Sequence, residues 1–401
     1  MKVLATAALI GGILALGGST ALAQSAPAVE HSGRVFHIRA CPSFEGPQSA
    51  RCYAHIVTDS RGNILSRAAL PNTTPAGYSP NQLRGAYGII GSGSAATTVA
   101  IVDAYGYPNA ASDLAVYRTQ FGLGAASLTI VNQSGGTKPP KTNNGWDQEQ
   151  ALDLDMVSSM CPNCKILLVQ ASSASFSNLG AAANYAAAHA SVVSNSYGGG
   201  ESGSSAYEAD YNHPGIAVTA SAGDSGYGAQ FPATSPHVIA VGGTSLNLSG
   251  NTRVSETVWS GTGSGCSAIY GKPTWQHDPL CGFRMETDVS AVADPNTGVA
   301  VYGPGSGGRS GWLVFGGTSV AAPLIGGIYG EKSNEATACA TNPAFTESCA
   351  SSIYANASAL NDIAPPPAGS NGNCGGSYFC TVETGYDGPT GLGTPKGDTA
   401  F

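Results

Sequence analysis

Charged side chains are scarce in this 401-residue chain, because Asp, Glu, Lys and Arg together make up only 10% of it. The 17 Lys and Arg residues form no basic cluster, and the 25 Asp and Glu residues give a net charge of −8 at pH 7. Nucleic acids and anionic membrane surfaces attract basic patches, so the composition argues against both as partners. So few bases also limit the positive charge that the chain gains in acid, which is compatible with work at low pH.

Long hydrophobic runs are also missing beyond the amino terminus. No later stretch approaches the ~20 consecutive apolar residues of a membrane-spanning helix. The chain begins MKVLATAALIGGILALGGSTALAQ, in which one lysine precedes an apolar run and Ala-Leu-Ala precedes Gln24. This pattern predicts a cleaved secretory signal at residues 1–23 and therefore a secreted, extracellular protein. A membrane anchor is the alternative, but the run is short and ends in small residues.

The ten cysteines fall into close pairs along the chain. Because an exported chain folds in an oxidising compartment, disulfides between neighbouring cysteines are the simplest expectation. The CPNC segment at 161–164 is also compatible with a redox or zinc motif, but no second segment of this kind accompanies it. The expected bridges are Cys41–Cys52, Cys161–Cys164, Cys266–Cys281, Cys339–Cys349 and Cys374–Cys380.

From about residue 97 onward, short apolar runs alternate with segments of helical periodicity. This alternation predicts an α/β fold, in which a parallel sheet is covered by helices on both faces. One predicted helix, 112–123, has Ser112 or Asp113 as its expected cap. The other predicted helices are 146–162 and 175–190, and the predicted strands are 97–106, 164–171, 190–198, 215–223 and 237–245.

The part of the chain between the signal and this pattern is heterogeneous. It contains one predicted hairpin over residues 41–63, and it ends at the segment PAGYSPNQLRGAYGI, whose Pro and Gly residues mark a boundary. We therefore expect a short N-terminal extension or prosegment at 24–75 and one large domain at 76–401.

Ser319 lies in the segment FGGTSVAAP at 315–323, at the start of a predicted helix and in the positive field of its N-terminus. A serine hydroxyl barely ionises near neutrality, so a nucleophilic serine needs a base beside it. None of the seven histidines lies in a His-Gly-Thr-His or similar context. Either Ser319 only caps its helix, or another side chain accepts its proton.

Acidic residues provide candidates for that base. Glu149 and Asp153 are four residues apart in a predicted helix and therefore share a face, where two like charges raise the pKa of one member. Asp224 follows an apolar strand in SAGDSG, at the carboxyl end of the predicted sheet, where the ligands of open α/β sheets bind. Alternatively, Glu149 and Asp153 belong to a solvated acidic face of the helix, and Asp224 is an ordinary turn aspartate.

These three segments carry a resemblance to a known family. GGTSVAAP resembles the serine motif shared by subtilisins and sedolisins, EQALD resembles the sedolisin Glu-x-x-Leu-Asp motif, and SAGDSG resembles the sedolisin oxyanion-aspartate motif. Similarity also runs through GYSPNQLRGAYGI, FPATSPHVIAVGGT, ETVWSGTGSGCS and DVSAVADPNTG, so it covers roughly residues 76–401. The resemblance implies a subtilisin-like fold with a single catalytic domain that cleaves protein or peptide substrates.

The resemblance also implies roles for four side chains. Ser319 would be the nucleophile, Glu149 its general base, Asp153 the partner that orients Glu149, and Asp224 the donor to the oxyanion. Glu149 must be ionised to accept a proton, whereas Asp224 must be protonated to donate a hydrogen bond. Since carboxyl pKa values lie near about 4, this mixed state predicts an acidic optimum.

Two C-terminal segments, LNDIAPPP and VETGYDGPTGLGTP, resemble the sedolisin calcium loop. On that match Asp362 and Asp387 supply carboxylates to a Ca²⁺ ion, and Ile363, Glu383 and Gly385 supply backbone carbonyls. Oxygen ligands alone suit calcium. The alternative is a pair of turns closed by aspartate side chains.

The sequence departs from the family pattern in three places. The family usually carries a long folded prosegment, whereas only 24–75 separates the signal from the expected domain. Tyr197 follows the serine-rich strand at a position where tryptophan is common, so the family pattern does not define the substrate pocket of this chain. Glu383 stands where glycine is frequent, which a carbonyl ligand tolerates.

Two other interpretations compete with a sedolisin-like peptidase. One is a subtilisin-type serine protease, which would pair Asp103 with His189, His213 or His237. The other is a catalytically inactive secreted binding protein on a peptidase fold. The sequence also leaves open whether cleavage is internal, which we expect, or removes tripeptides, and we expect a monomer.

Overall fold

A computed structural model describes residues 28–65, 74–333, 339, 348–364 and 369–401. The expected secretory signal at 1–23 lies outside these ranges. Within them, no helix combines the length and apolar character that crossing a membrane requires.

The elements follow the alternation expected from the sequence. The helices are α1 (Pro80–Tyr87), α2 (Ala110–Phe121), α3 (Asn144–Met160), α4 (Phe176–Ala187), α5 (Thr318–Lys332) and α6 (Ala350–Ala355). The strands are β1 (Glu30–Ser32), β2 (Val35–Arg39), β3 (Arg51–Cys52), β4 (His55–Thr58), β5 (Thr98–Ala104), β6 (Ser127–Asn132), β7 (Lys165–Ala171), β8 (Val192–Asn195), β9 (Tyr197–Gly198), β10 (Ala217–Ser221), β11 (Ile239–Ser249), β12 (Thr252–Val258), β13 (Gly265–Gly271), β14 (Phe283–Glu286), β15 (Val289–Val292), β16 (Val299–Pro304), β17 (Ser310–Gly316), β18 (Leu360–Asn361) and β19 (Thr394–Pro395).

The central sheet is mostly parallel and has the order β12-β11-β10-β8-β5-β7-β6, with β15 added beside β11. Strands β6, β7, β5, β8, β10 and β11 pair in parallel, as does β15 with β11, whereas β12 runs antiparallel to β11. The predicted α/β fold with a parallel sheet is confirmed.

Side chains of the central strands are buried on both faces of the sheet, which explains their apolar runs. In β5, Val99 and Ile101 belong to the core on one face, and Ala100 and Val102 belong to the core on the other. Helices α3 and α5 pack on the first face, and α4 packs on the second. The expectation of helices on both faces is therefore confirmed.

The N-terminal extension builds a second sheet with the main domain. This antiparallel sheet has the order β1-β2-β4-β17-β16, so strands from residues 30–58 pair beside the strand that leads into α5. The predicted hairpin over 41–63 is wrong in its first strand, because β4 pairs with β2, which precedes Cys41. The intervening loop leaves the sheet and pairs β3 with β9 instead.

The predicted cap of the second helix is also wrong. Helix α2 begins at Ala110 after Asn109, two residues before Ser112. Asp113 instead accepts hydrogen bonds from the hydroxyls of Tyr107 and Ser310, so its side chain ties the helix to β17.

All five expected disulfides are present in the structure. The bridge Cys41–Cys52 closes the loop that carries β3, and Cys161–Cys164 lies directly after α3. Local pairing along the chain was therefore the correct rule.

Candidate active site

The turn between β17 and α5 presents Ser319. Gly317 has φ 97°, and a methyl group placed on it would lie 1.8 Å from the Tyr53 carbonyl oxygen and 2.8 Å from Asp224 Oδ2. Only glycine fits this position, because both its backbone conformation and its surroundings exclude a side chain. Ser319 follows in the first turn of α5 and is fully buried.

The Ser319 hydroxyl lies between two backbone groups and close to a carboxylate. Its Oγ donates to the Ser196 carbonyl at 3.0 Å and accepts from the Tyr53 N–H at 3.0 Å. The hydroxyl also lies near the Glu149 carboxylate, whose pKa it lowers by favouring the ionised form. The serine is therefore close to a carboxylate that can take its proton.

Helix α3 carries Glu149 against α5. Its N-terminus is capped by the Asn143 side chain, which accepts from the N–H groups of Gly145 and Trp146. Glu149 is fully buried, and its Oε2 accepts from the Ala54 N–H at 3.0 Å. Burial, followed by the charge of Asp153, raises the pKa of Glu149 well above its usual value despite the opposing hydrogen bonds.

Two further buried acids, Asp153 and Asp103, interact with Glu149 through their charges. Burial and the neighbouring Asp103 raise the pKa of Asp153, and burial and Glu149 raise the pKa of Asp103. Asp103 comes from β5, and neither of its carboxylate oxygens has a hydrogen-bond partner among the described residues. The three acids therefore form a cluster that holds protons more tightly than exposed carboxyls do.

Asp224 follows β10 and lies beside the start of α5. Its Oδ1 accepts from the Thr318 N–H at 2.8 Å and from the Thr318 hydroxyl at 2.7 Å. Its Oδ2 lies 3.2 Å from His55 Nε2. Because Oδ1 already accepts two hydrogen bonds, a proton that Asp224 donates would be carried by Oδ2.

The structure thus brings together all four side chains singled out in the sequence: Ser319, Glu149, Asp153 and Asp224. Ser319 lies close enough to Glu149 to lower its pKa, Glu149 and Asp153 interact through their charges, and Asp224 accepts a hydrogen bond from the residue before Ser319. Their catalytic roles stay a prediction.

Sequence reasoning missed three participants. Asp103 was considered only as the partner of a histidine, although its position at the end of a buried strand was a usable signal. Thr318 fixes Asp224, and His55 faces it from the N-terminal extension. No local pattern marks these two, because their contacts join distant parts of the chain.

The histidines of the alternative interpretation have other partners. His189 Nδ1 lies 2.7 Å from the Tyr185 carbonyl, His213 Nε2 lies 2.9 Å from the Asp210 carbonyl, and His237 Nε2 lies 3.6 Å from a carboxylate oxygen of Glu208. Each of these contacts is with a group other than Asp103, so they do not support a catalytic pair of Asp103 and a histidine.

The residues expected to bind calcium lie in one C-terminal loop region. Asp362 Oδ2 accepts from the Gly385 N–H at 2.9 Å, and Asp387 Oδ2 accepts from the Glu383 N–H at 3.1 Å. Asp387 is buried, and Asp362 is close enough for its charge to act on Asp387. The fifth predicted residue, Ile363, is buried next to Asp362 in sequence.

A different group of side chains has the spacing of metal ligands. Glu30, His37 and His55 offer atoms within 4.8 Å of one another, and this is the one such group of three or more His, Cys, Asp or Glu side chains within the described ranges. The predicted calcium loop is of another kind, because most of its expected ligands are backbone carbonyls.

Comparisons with known proteins identify the family and the fold. The family described as "Subtilase family" matches residues 113–358. Kumamolisin from Bacillus sp. (strain MN-32) is 33% identical over 319 residues, which cover 70% of this chain and 56% of kumamolisin. Sedolisin from Pseudomonas sp. (strain 101) is 34% identical over 181 residues, which cover 42% of this chain and 29% of sedolisin.

The chain thus spans about half of kumamolisin and less than a third of sedolisin. Among solved structures, Pseudomonas sedolisin, a serine-carboxyl proteinase complexed with two molecules of pseudo-iodotyrostatin, superposes with a TM-score of 0.66 and 26% identity. That match covers 81% of this chain and 96% of the sedolisin chain. The chain therefore belongs to the subtilase family and, within that fold, to the sedolisins.

Proposed function

We propose that this protein is a serine-carboxyl peptidase that hydrolyses peptide bonds in proteins or peptides through an acyl-enzyme on Ser319. The observation that carries the proposal is the proximity of the buried Ser319 hydroxyl to the buried Glu149 carboxylate. A carboxylate in this position does the work for which other serine peptidases use imidazole.

Each carboxyl group then has a separate task. Glu149 accepts the proton of Ser319 as the bond to the substrate carbonyl forms, and returns it to the leaving amide nitrogen. Asp153 holds Glu149 in place. Asp224, fixed through Oδ1 by Thr318, donates from Oδ2 to the oxygen on which negative charge develops.

The same arrangement favours work in acid. Asp224 donates only while it is protonated, and the cluster of Asp103, Glu149 and Asp153 is buried without a basic residue among the causes that set its pKa values. We infer that activity is highest at acidic pH and declines toward neutral pH.

We also propose that Asp362, Ile363, Glu383, Gly385 and Asp387 hold a Ca²⁺ ion. Burial raises the pKa of Asp387 to about 7, and the nearby Asp362 carboxylate adds to the shift. A cation between the two carboxylates would remove that repulsion, and oxygen-only donors fit calcium. The ion would fix the C-terminal loop and take no part in the chemistry.

The remaining features of the proposal follow from the amino terminus and the fold. We propose export through the signal at 1–23, a short extension at 24–75, and a peptidase domain at 76–401 that works as a monomer. The disulfides suit an extracellular protein.

Replacement of Ser319 tests the proposed function. Wild type, Ser319→Ala and a surface control, Ser202→Ala, are incubated with denatured protein from pH 3 to pH 8, and the fragments are sequenced. We expect proteolysis that peaks in acid for wild type and for Ser202→Ala, and none above background for Ser319→Ala. Equal proteolysis by Ser319→Ala, or a rate at neutral pH equal to the rate in acid, would contradict the proposal.

A further inference from the structure

Residues 49–55 of the N-terminal extension, which we call the cleft strand, run through the candidate active site. Arg51 and Cys52 pair antiparallel with Gly198 and Tyr197, and Ser49 forms a bridge with Ser175. A chain that adds to an exposed strand edge in this way binds through its backbone and is read through alternate side chains.

The bond between Tyr53 and Ala54 lies among the groups that cleave a peptide bond. The Tyr53 N–H is 3.0 Å from Ser319 Oγ and 3.3 Å from the Ser196 carbonyl. The Tyr53 carbonyl oxygen faces Gly317 on the side where Asp224 Oδ2 also lies. The Ala54 nitrogen, which would be the leaving group, is 3.0 Å from Glu149 Oε2.

This placement matches the roles proposed above, one by one. Glu149 faces the nitrogen that it would protonate, Asp224 lies on the side of the carbonyl oxygen, and Ser319 Oγ lies beside the residue whose carbonyl it would attack. The cleft strand is therefore seated as a substrate would be, and the same contacts exclude any other polypeptide while it is in place.

The Tyr53 side chain fills a closed pocket. Its ring is buried, and its hydroxyl donates to Gln230 Oε1. Gly198 leaves room for this hydroxyl, because a methyl group there would lie 2.6 Å from it. Gln230 is held in turn through its N–H, which donates to the buried Glu286 at 2.9 Å.

The next position holds a small, buried side chain. Ala54 is fully buried, and its carbonyl accepts from the Ala40 N–H at 2.9 Å. The disulfide Cys41–Cys52 holds the strand next to Tyr53.

We propose that the pocket around Tyr53 is the specificity pocket of this enzyme, and that Gln230 selects a tyrosine on the acyl side of the cleaved bond, followed by a small residue. The inference rests on the proposed peptidase function and names its substrate class. Phenylalanine has no hydroxyl, so its binding would leave the Gln230 oxygen without a hydrogen bond. The resulting discrimination between tyrosine and phenylalanine exceeds what apolar contacts provide.

The experiment compares peptides that differ at one residue. Full-length protein in acid is given peptides with Tyr-Ala, Phe-Ala or Leu-Ala at a single site, and kcat/KM and the cleaved bond are measured by mass spectrometry. The enzymes are wild type, Gln230→Leu and a surface control, Gln120→Leu. We expect a Tyr-over-Phe ratio of at least ~10-fold for wild type and the control, and a ratio near unity for Gln230→Leu.

A narrowed pocket gives an independent measurement. Gly198→Ala places a methyl group against the tyrosine hydroxyl, so we expect it to lose turnover of the Tyr-Ala peptide more than that of the Leu-Ala peptide. Equal turnover of all three peptides by wild type, or an unchanged ratio in Gln230→Leu, would overturn the specificity inference and leave the peptidase intact. Absence of any cleavage that depends on Ser319 would instead overturn the proposed function, and the inference with it.

Discussion

At the scale of single residues, the site depends on a glutamate that keeps its basicity in a buried place. Glu149 accepts a hydrogen bond from the Ala54 N–H and lies near the Ser319 hydroxyl, and both favour its ionised form against burial and the charge of Asp153. These opposing effects give one carboxyl group the capacity to take a proton and to return it. The amide of glutamine keeps the shape of this side chain and lacks that capacity.

Glu149→Gln should therefore lower kcat by at least ~10²-fold with a smaller change in KM, because proton transfer is lost while the cleft keeps its form. The measurement is steady-state kinetics on one peptide in acid, with Asp59→Asn as a control that removes a carboxyl from the surface. Retention of most of the wild-type kcat in Glu149→Gln would remove Glu149 from the role of general base.

The sequence predicted part of this site and missed the rest for a physical reason. Glu149 and Asp153 were found because helical spacing is local, and Ser319 was found because it opens a helix. The partners that orient them are not local, since Thr318 and His55 reach Asp224 only after folding. Motifs thus locate the reacting groups, and tertiary contacts supply the residues that hold them.

At the scale of elements, the cleft strand links the N-terminal extension to the active site. It is anchored by β3 on β9, by β4 on β17 and by the buried Tyr53 ring. Its pairing could not be predicted from the sequence, because residues 51–52 look like one arm of a local hairpin whereas their partner is at 197–198. The predicted hairpin failed for this reason.

Removal of the anchor in the pocket should open the cleft. Tyr53→Ala deletes a buried aromatic ring, a change that costs a core about 3–5 kcal/mol, so the strand should compete less well with added substrate. We expect the apparent KM for a Tyr-Ala peptide to fall at least ~10-fold with kcat little changed. Phe36→Ala, which removes a partly exposed ring from the same extension, is the control, and an equal effect of both variants would contradict a specific anchor.

The C-terminal loop allows a test of the proposed ion. If Ca²⁺ binds the folded chain only, chelation should lower the melting temperature, because a ligand at 1,000 times its Kd stabilises by about 4 kcal/mol. We expect EDTA to destabilise wild type and the surface control Asp59→Asn, and to have little effect on Asp362→Asn. Identical melting of wild type before and after verified removal of metal would exclude the site.

At the scale of the whole molecule, composition and alternation predicted the architecture well. The apolar strands and intervening helices fixed the parallel sheet, and the spacing of the cysteines predicted all five bridges, since both depend on neighbours in sequence. Some buried acids, such as Asp288 beside Arg284, are paired with a cation, whereas the scarcity of bases leaves others without an adjacent one. The acids of α3 are an example, because burial is the main cause of the raised pKa of Asp147, Glu149, Asp153 and Asp155.

These raised values make stability depend on pH in a defined direction. A carboxyl whose pKa is higher in the folded state keeps its proton at pH values above about 4, at which the unfolded chain has released it. Its contribution to the free energy of unfolding is therefore full below about pH 4 and is lost as pH rises. For Asp147 the loss continues to its folded pKa of about 6. His37 acts oppositely, because burial and His55 lower its pKa to about 4, and its contribution is lost as pH falls from 6.5. Burial lowers the pKa of His213 as well, so it acts in the same direction as His37.

Since the raised carboxyls outnumber these histidines, we expect the melting temperature to fall between pH 4 and pH 7. Calorimetry in buffers of constant ionic strength and constant calcium measures this slope. Asp155→Asn should flatten it, because this variant replaces one buried acid outside the catalytic group, while Glu45→Gln on the surface should leave it unchanged. A melting temperature that rises steadily to pH 7, in wild type and in Asp155→Asn alike, would show that the buried acids of α3 are ionised in the folded protein.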